Sequence, residues 1–178
     1  EHGYTSLGAG KIFHTGGDPH SFHEYGGQMG GFGPRPEEKI SLPEGHPLWD
    51  WGAFPDRDED MPDYQIAQWA KTKLAQEHEK PFFLSVGFYR PHVPLYVPEM
   101  FDLYPRDQIQ LPEALPDTLE DIPQYALDLT HAAAAPRHDY VRSLNEWEHG
   151  VQAYLACVSF VDDCVGQVLD ALRVSPDA

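Results

Sequence analysis

Pro81-Phe82-Phe83-Leu84-Ser85-Val86-Gly87-Phe88 is a continuous apolar run with no alternation, and it limits what this chain can become more than any other segment. Eight residues suit a strand better than a helix, and a run without a polar face predicts a strand buried on both faces. Just before it, Asp63 reads as an N-cap or first-turn acid and Tyr64 to His78 as a helix. Ile66, Ala67, Trp69, Ala70 and Leu74 supply its apolar side, and Lys71, Lys73 and Glu77 its polar one. A helix followed closely by a buried strand predicts an α/β layer architecture.

Other segments agree with that frame. Tyr4 to Phe13 mixes small and apolar residues and ends in Gly-Lys-Ile-Phe-His, a second buried strand running into a loop. Thr15 to Pro62, rich in Gly, Pro, His and aromatics, has almost no period and reads as a long irregular excursion carrying Trp49, Trp51 and Phe54. Excursions of that length are more often functional than idle. Prolines at 91, 94, 98, 105, 112, 116 and 123 keep any regular structure between Arg90 and Pro123 short. Ala132 to Ala135 allows a helical turn that Pro136 stops. Val151, Tyr154, Leu155, Val158, Val161, Val165, Val168, Leu169 and Leu172 recur at spacings of three and four, predicting an amphipathic helix from about Asn145 to Leu172.

The 178 residues are enough for one domain, and 41% hydrophobic content makes it globular. No apolar run reaches the ~18 residues of a membrane span. The first residues, Glu1 to Thr5, show neither the basic nor the apolar part of a signal peptide and no initiator Met, as though the chain were entered midway through a domain. A net charge of −17 repels phosphate backbones, which argues against nucleic-acid binding. It also sits awkwardly with a polyanionic substrate unless some of the ten His and a few Arg form a local positive pocket. Asp56 to Asp60, the densest acidic run, reads as a solvated loop. Cys157 and Cys164 lie on the last helix with Cα atoms roughly 10 Å apart, beyond the ~7 Å reach of a disulfide. Both are expected to be free and buried, so they do not indicate a redox compartment.

Two basic clusters could carry chemistry. Lys11 closes a buried strand, an expensive position unless a negative group meets it. For His14 to serve the same site the chain must turn after Lys11, and Thr15-Gly16-Gly17-Asp18 is a plausible turn. A surface lysine and a loop histidine are the alternative. Arg90-Pro91-His92 follows the second strand, with Pro91 and Pro94 to stiffen it, although an exposed loop histidine is again the alternative. Ligands of open α/β sheets bind beyond the carboxyl ends of the strands, where both clusters fall. His14, His20 and His23 could suggest zinc, but their spacings are not those of a His-Glu-x-x-His helix and the stretch is Gly-rich.

Gly10-Lys11-Ile12-Phe13-His14 resembles the strand-ending Gly-Lys-aromatic-His type motif of formylglycine-dependent sulfatases, with the two-residue gap of the iduronate-2-sulfatase-like branch. Phe82 to Pro94 resembles that branch's strand and Lys/Arg-Pro-His loop. Tyr154 to Asp162, followed by Val165-Gly166 and Leu169 to Leu172, is similar to the long helix before the family's Asp-His-Gly segment. The three matches are collinear. The resemblance implies an alkaline phosphatase-like α/β fold, a mixed sheet flanked by helices, present here only in part. It implies sulfuric ester hydrolysis with a formylglycine and Ca2+, and a periplasmic, secreted or lysosomal setting. Lys11 would neutralise sulfate charge, His14 would hydrogen-bond the formylglycine hydrate, and His92 would assist the departing alcohol. Lys11, His92 and Arg90 would bind the substrate, a sulfate ester of a sugar. No Cys-x-Pro-x-Arg, early Asp-Asp pair or Asp-His-Gly occurs, so residues 1–178 read as an internal part of one catalytic domain with no metal ligands of its own. Asp162-Asp163 reads as a polar helix face. Lys11, His14 and His92 are expected to surround one sulfate-sized cavity. A non-catalytic remnant that binds anions or a partner chain is the competing expectation.

Overall fold

A computed structural model of the chain describes residues 2–14, 18–98, 100–113, 119–131 and 135–177. Strand β1 (Thr5–Gly10) forms the centre of a three-stranded parallel sheet, with β2 (Glu24–Tyr25) on one side and β4 (Phe82–Gly87) on the other. The β1–β4 register runs from Thr5 opposite Phe82 to Gly10 opposite Gly87. A separate parallel pair joins β3 (Trp51–Ala53) to β5 (Leu95–Val97). Helix α1 (Pro62–Leu74) precedes β4, the short α2 (Gln124–Leu129) and α3 (His138–Ser143) follow β5, and α4 (Trp147–Arg173) closes the described chain.

Helix α1 forms where the periodicity predicts it, although it starts two residues earlier and ends four earlier. Pro62 occupies its first position, where a missing N–H costs nothing. Ile66, Ala67, Ala70 and Leu74 are buried. The excursion is less irregular than expected, since it contributes β2 and β3, and strands of two and three residues are too short to show a period. Ala132 to Ala134, like Thr15 to Gly17 of the anticipated turn, lie outside the described residues.

Two expectations about burial need correction. Strand β4 is not buried on both faces: Phe83 is 60% exposed and the other residues of the strand are only partly buried. Helix α4 has nearly its predicted span and buries the free Cys157 and Cys164 as expected, but the rest of its core face is a different set of residues. Ala153, Ala156, Cys157, Phe160 and Cys164 are buried, while Tyr154, Val158, Val165, Leu169 and Leu172 remain exposed. The small side chains let α4 approach the rest of the core, where they cluster with Ala67 of α1, Trp51 of β3, and Leu95 and Val97 of β5.

Candidate functional site

Gly10 and Gly87 fix where the two basic loops begin. They lie opposite each other at the carboxyl end of the sheet, and Lys11 N–H donates to the Gly87 carbonyl at 2.7 Å. Gly10 has φ +82°, and a Cβ there would fall on the Gly87 carbonyl, while a Cβ on Gly87 would fall on the Lys11 carbonyl. Only glycine meets both demands. Past Gly10 the chain bends at once, with Ile12 N–H donating back to the Gly10 carbonyl at 2.9 Å. The Lys11 ammonium curls into this bend and donates to the carbonyls of Phe13 (2.9 Å) and His14 (3.0 Å). Phe13 is edge-on to Phe22 and Tyr25, which brace the bend from below, and Tyr25 also donates to the Gly10 carbonyl. Lys11 and His14 therefore share one bend, with the His14 side chain exposed.

The second loop leaves β4 one strand away. His92 N–H donates to the Tyr89 carbonyl at 2.9 Å, closing a turn. The His92 side chain is exposed, and its Nδ1 lies 2.7 Å from the Val93 carbonyl. A carbonyl oxygen only accepts, so Nδ1 carries the proton and Nε2 is the nitrogen left for other chemistry. The imidazole lies against Phe32, ring centroids 4.7 Å apart.

Arg90 lies inside the protein. It is 4% exposed, its Nε donates to the Tyr96 carbonyl (3.0 Å), one terminal nitrogen donates to the Phe32 carbonyl (3.1 Å), and the other is buried without a hydrogen-bond partner. Burial lowers its pKa from the ordinary arginine range, against the pull of Cys157 and Asp63. Asp63 was legible in the sequence only as a helix-start acid. It does not cap α1; its two carboxylate oxygens accept the N–H groups of Tyr89 (2.6 Å) and Arg90 (3.1 Å), where β4 gives way to the His92 loop. Asp50, also fully buried, plays the same part for the excursion. It accepts from the backbones of Ile40, Ser41 and Leu42 and from the Tyr96 hydroxyl. Neither partnership is local in sequence, so no pattern could announce it.

Ser41, His149 and Glu146 come together elsewhere without forming a relay. The serine hydroxyl and the carboxylate both meet the same ring nitrogen, Nδ1 of His149, at 3.1 and 2.7 Å, whereas a nucleophile–base–orienter chain needs both nitrogens. Among the described residues no group of three His, Cys, Asp or Glu side chains is arranged to hold a metal ion. His23 Nδ1 is instead paired with Ser6.

Two glycine-gated loops, one with lysine and histidine and one with Arg-Pro-His, leave neighbouring parallel strands at the same sheet edge, and the long helix follows in order. The sulfatase family model matches residues 2–177. This chain belongs to the sulfatase family. It is 44% identical over 190 residues to a protein named sulfatase from Formosa agariphila, covering 100% of this chain and 38% of that protein. It is 28% identical over 214 residues to human iduronate 2-sulfatase and 27% over 212 residues to the mouse protein. Each of these alignments covers 97% of this chain and 35% of the relative. The sulfatase chain thus spans little more than a third of the length of the curated relatives it matches.

Proposed function

We propose that this chain is the part of a sulfuric ester hydrolase that supplies basic side chains for cleaving a sulfate ester, with a sulfated sugar as the substrate class. The observation that carries this reading is the Gly10–Gly87 register. It starts the Lys11–His14 bend and the His92 loop side by side at the edge where α/β sheets bind ligands. A sulfate oxygen would replace the Phe13 and His14 carbonyls as acceptor for the Lys11 ammonium, which would then offset charge building on the transferred group. His92, with Nδ1 committed to Val93, would protonate the leaving alcohol through Nε2. His14, exposed on the same bend, would bind the attacking group. Arg90 is too enclosed to meet substrate directly.

Family membership implies formylglycine and calcium, and the described residues suit neither. Cys157 and Cys164 are buried in α4, with burial pushing both thiols up to about 12, and among the described residues no group of three His, Cys, Asp or Glu side chains could hold a metal ion. No step is therefore assigned to either group here. The test uses the complete sulfatase polypeptide containing this sequence, assayed for sulfate release from an aryl sulfate and from a sulfated monosaccharide. Lys11→Ala and His92→Ala should each lower kcat by on the order of 10²–10⁴ while leaving Tm close to wild type. Near-normal turnover in either variant would remove that residue from the site.

A further inference from the structure

Asp63, Arg90 and Phe32 form one continuous support beneath His92. Both oxygens of the fully buried Asp63 are taken by consecutive N–H groups, those of Tyr89 and Arg90. That pair of bonds sets where and at what angle the loop leaves β4. From the same residue the Arg90 side chain runs inward and ties two further segments together through the Tyr96 and Phe32 carbonyls. Phe32, held by its own backbone, lies between two rings, edge-on to Tyr89 at 5.6 Å and tilted against His92 at 4.7 Å. Gly33, next along the chain, has φ +88°, and a Cβ there would sit 3.1 Å from Pro62 and 3.6 Å from the Arg90 guanidinium. The loop carrying Phe32 is thus pressed against the start of α1 and against Arg90.

We propose that Asp63, Arg90 and Phe32 are positioning residues for His92, with Asp63 setting the loop's exit, Arg90 linking it to the Phe32 segment, and Phe32 fixing the plane of the imidazole. This rests on the reading of His92 as a group that acts on the substrate. It gives Arg90 a different part from substrate binding, because the guanidinium lies inside the protein with two of its three nitrogens held by carbonyls. Arginine suits this place because its planar fork reaches two acceptors at once, which a lysine ammonium on a flexible stem does not do in fixed geometry.

The test uses the complete polypeptide labelled with ¹³C-histidine, in wild type and in Phe32→Leu, Asp63→Asn and Arg90→Lys. Phe32→Leu is the mild variant, since Phe32 is only partly buried, and it keeps the test valid if Asp63→Asn does not fold. The His92 ring signal should lose its ring-current displacement in Phe32→Leu and move in Asp63→Asn and Arg90→Lys, while the His14 signal stays in place. Turnover should show a kcat lowered on the order of tenfold to a hundredfold, with KM nearly unchanged, as expected when a reacting group is misplaced by a fraction of an ångström. His92 signals at their wild-type positions in folded Phe32→Leu and Asp63→Asn would overturn the proposal even if His92→Ala abolished turnover. An Arg90→Lys variant with raised KM and intact kcat would overturn it too, returning Arg90 to substrate binding. Full turnover by His92→Ala would defeat the reading of the site instead, and the His92 signal would still decide the positioning.

Discussion

Cys157 and Cys164 show how strongly a single position in this core dictates chemistry. Both are fully buried on the inner face of α4, and burial pushes each thiol up to about 12. At pH 8 that leaves roughly one thiolate in ten thousand, and the thiolate is the reactive form. Alkylation in native buffer should therefore be negligible and should appear only at the unfolding transition; rapid labelling of either residue would contradict this packing. Asp63 gives a pH signature with the same cause in the acid range. Burial raises its pKa above the ordinary 3.8, against the lowering effect of the Tyr89 and Arg90 N–H groups and the Arg90 charge. The folded state therefore holds this proton more tightly than the unfolded chain. The stability it contributes is complete below 3.8 and is lost as pH rises through the folded value. In urea titrations the stability of wild type relative to Asp63→Asn should fall as pH is raised from 4 toward 7. A pH-independent difference would mean that Asp63 titrates like an exposed acid.

The elements show why some of this was legible in the sequence and some was not. Strands β1 and β4 and helices α1 and α4 announced themselves because composition and period are local properties, and Lys11, His14 and His92 came with them as the basic residues of the loops that follow those strands. The core face of α4 did not follow from hydrophobicity alone. Large Val, Leu and Tyr side chains dominate a periodicity reading, yet close packing favoured the Ala and Cys face, which allows nearer approach. At 3.6 residues per turn the exposed stripe lies about a third of a turn round from the buried one. Tyr154, Val158, Val165, Leu169 and Leu172, each between 38% and 49% exposed, form an apolar line along the helix, interrupted between Val158 and Val165 by the exposed Asp162. Such lines drive association. Sedimentation velocity of the 178-residue chain should show mass rising with concentration, and Val158→Lys with Val165→Glu should return it toward monomer with little change in Tm. A wild-type chain that stays monomeric at high micromolar concentration would disprove this. The roles of Asp63, Asp50 and Phe32 were not legible because each depends on partners brought close only by the tertiary fold.

At the scale of the whole molecule, the chain covers 35–38% of its relatives and contains no Cys-x-Pro-x-Arg or Asp-His-Gly sequence. On the proposed reading the 178-residue chain on its own should show no sulfatase turnover, because the Cys-x-Pro-x-Arg nucleophile that the family resemblance implies does not occur in it. Calcium-dependent release of sulfate from an aryl ester by the purified chain would refute this. The molecule is also acidic overall, at −17, while its proposed site is basic, so salt should affect the approach of an anionic substrate through the whole-molecule field as well as through Lys11. The backbone contact between Gly10 and Gly87 bears on a different property, the response of the site to hydrostatic pressure. Pressure acts on proteins largely by eliminating internal voids. Where two main chains meet with no side chain between them there is almost no volume to squeeze out. Compression should therefore loosen the side-chain core around α4 first, while the spacing between the Lys11 bend and the His92 loop holds almost to the point of unfolding.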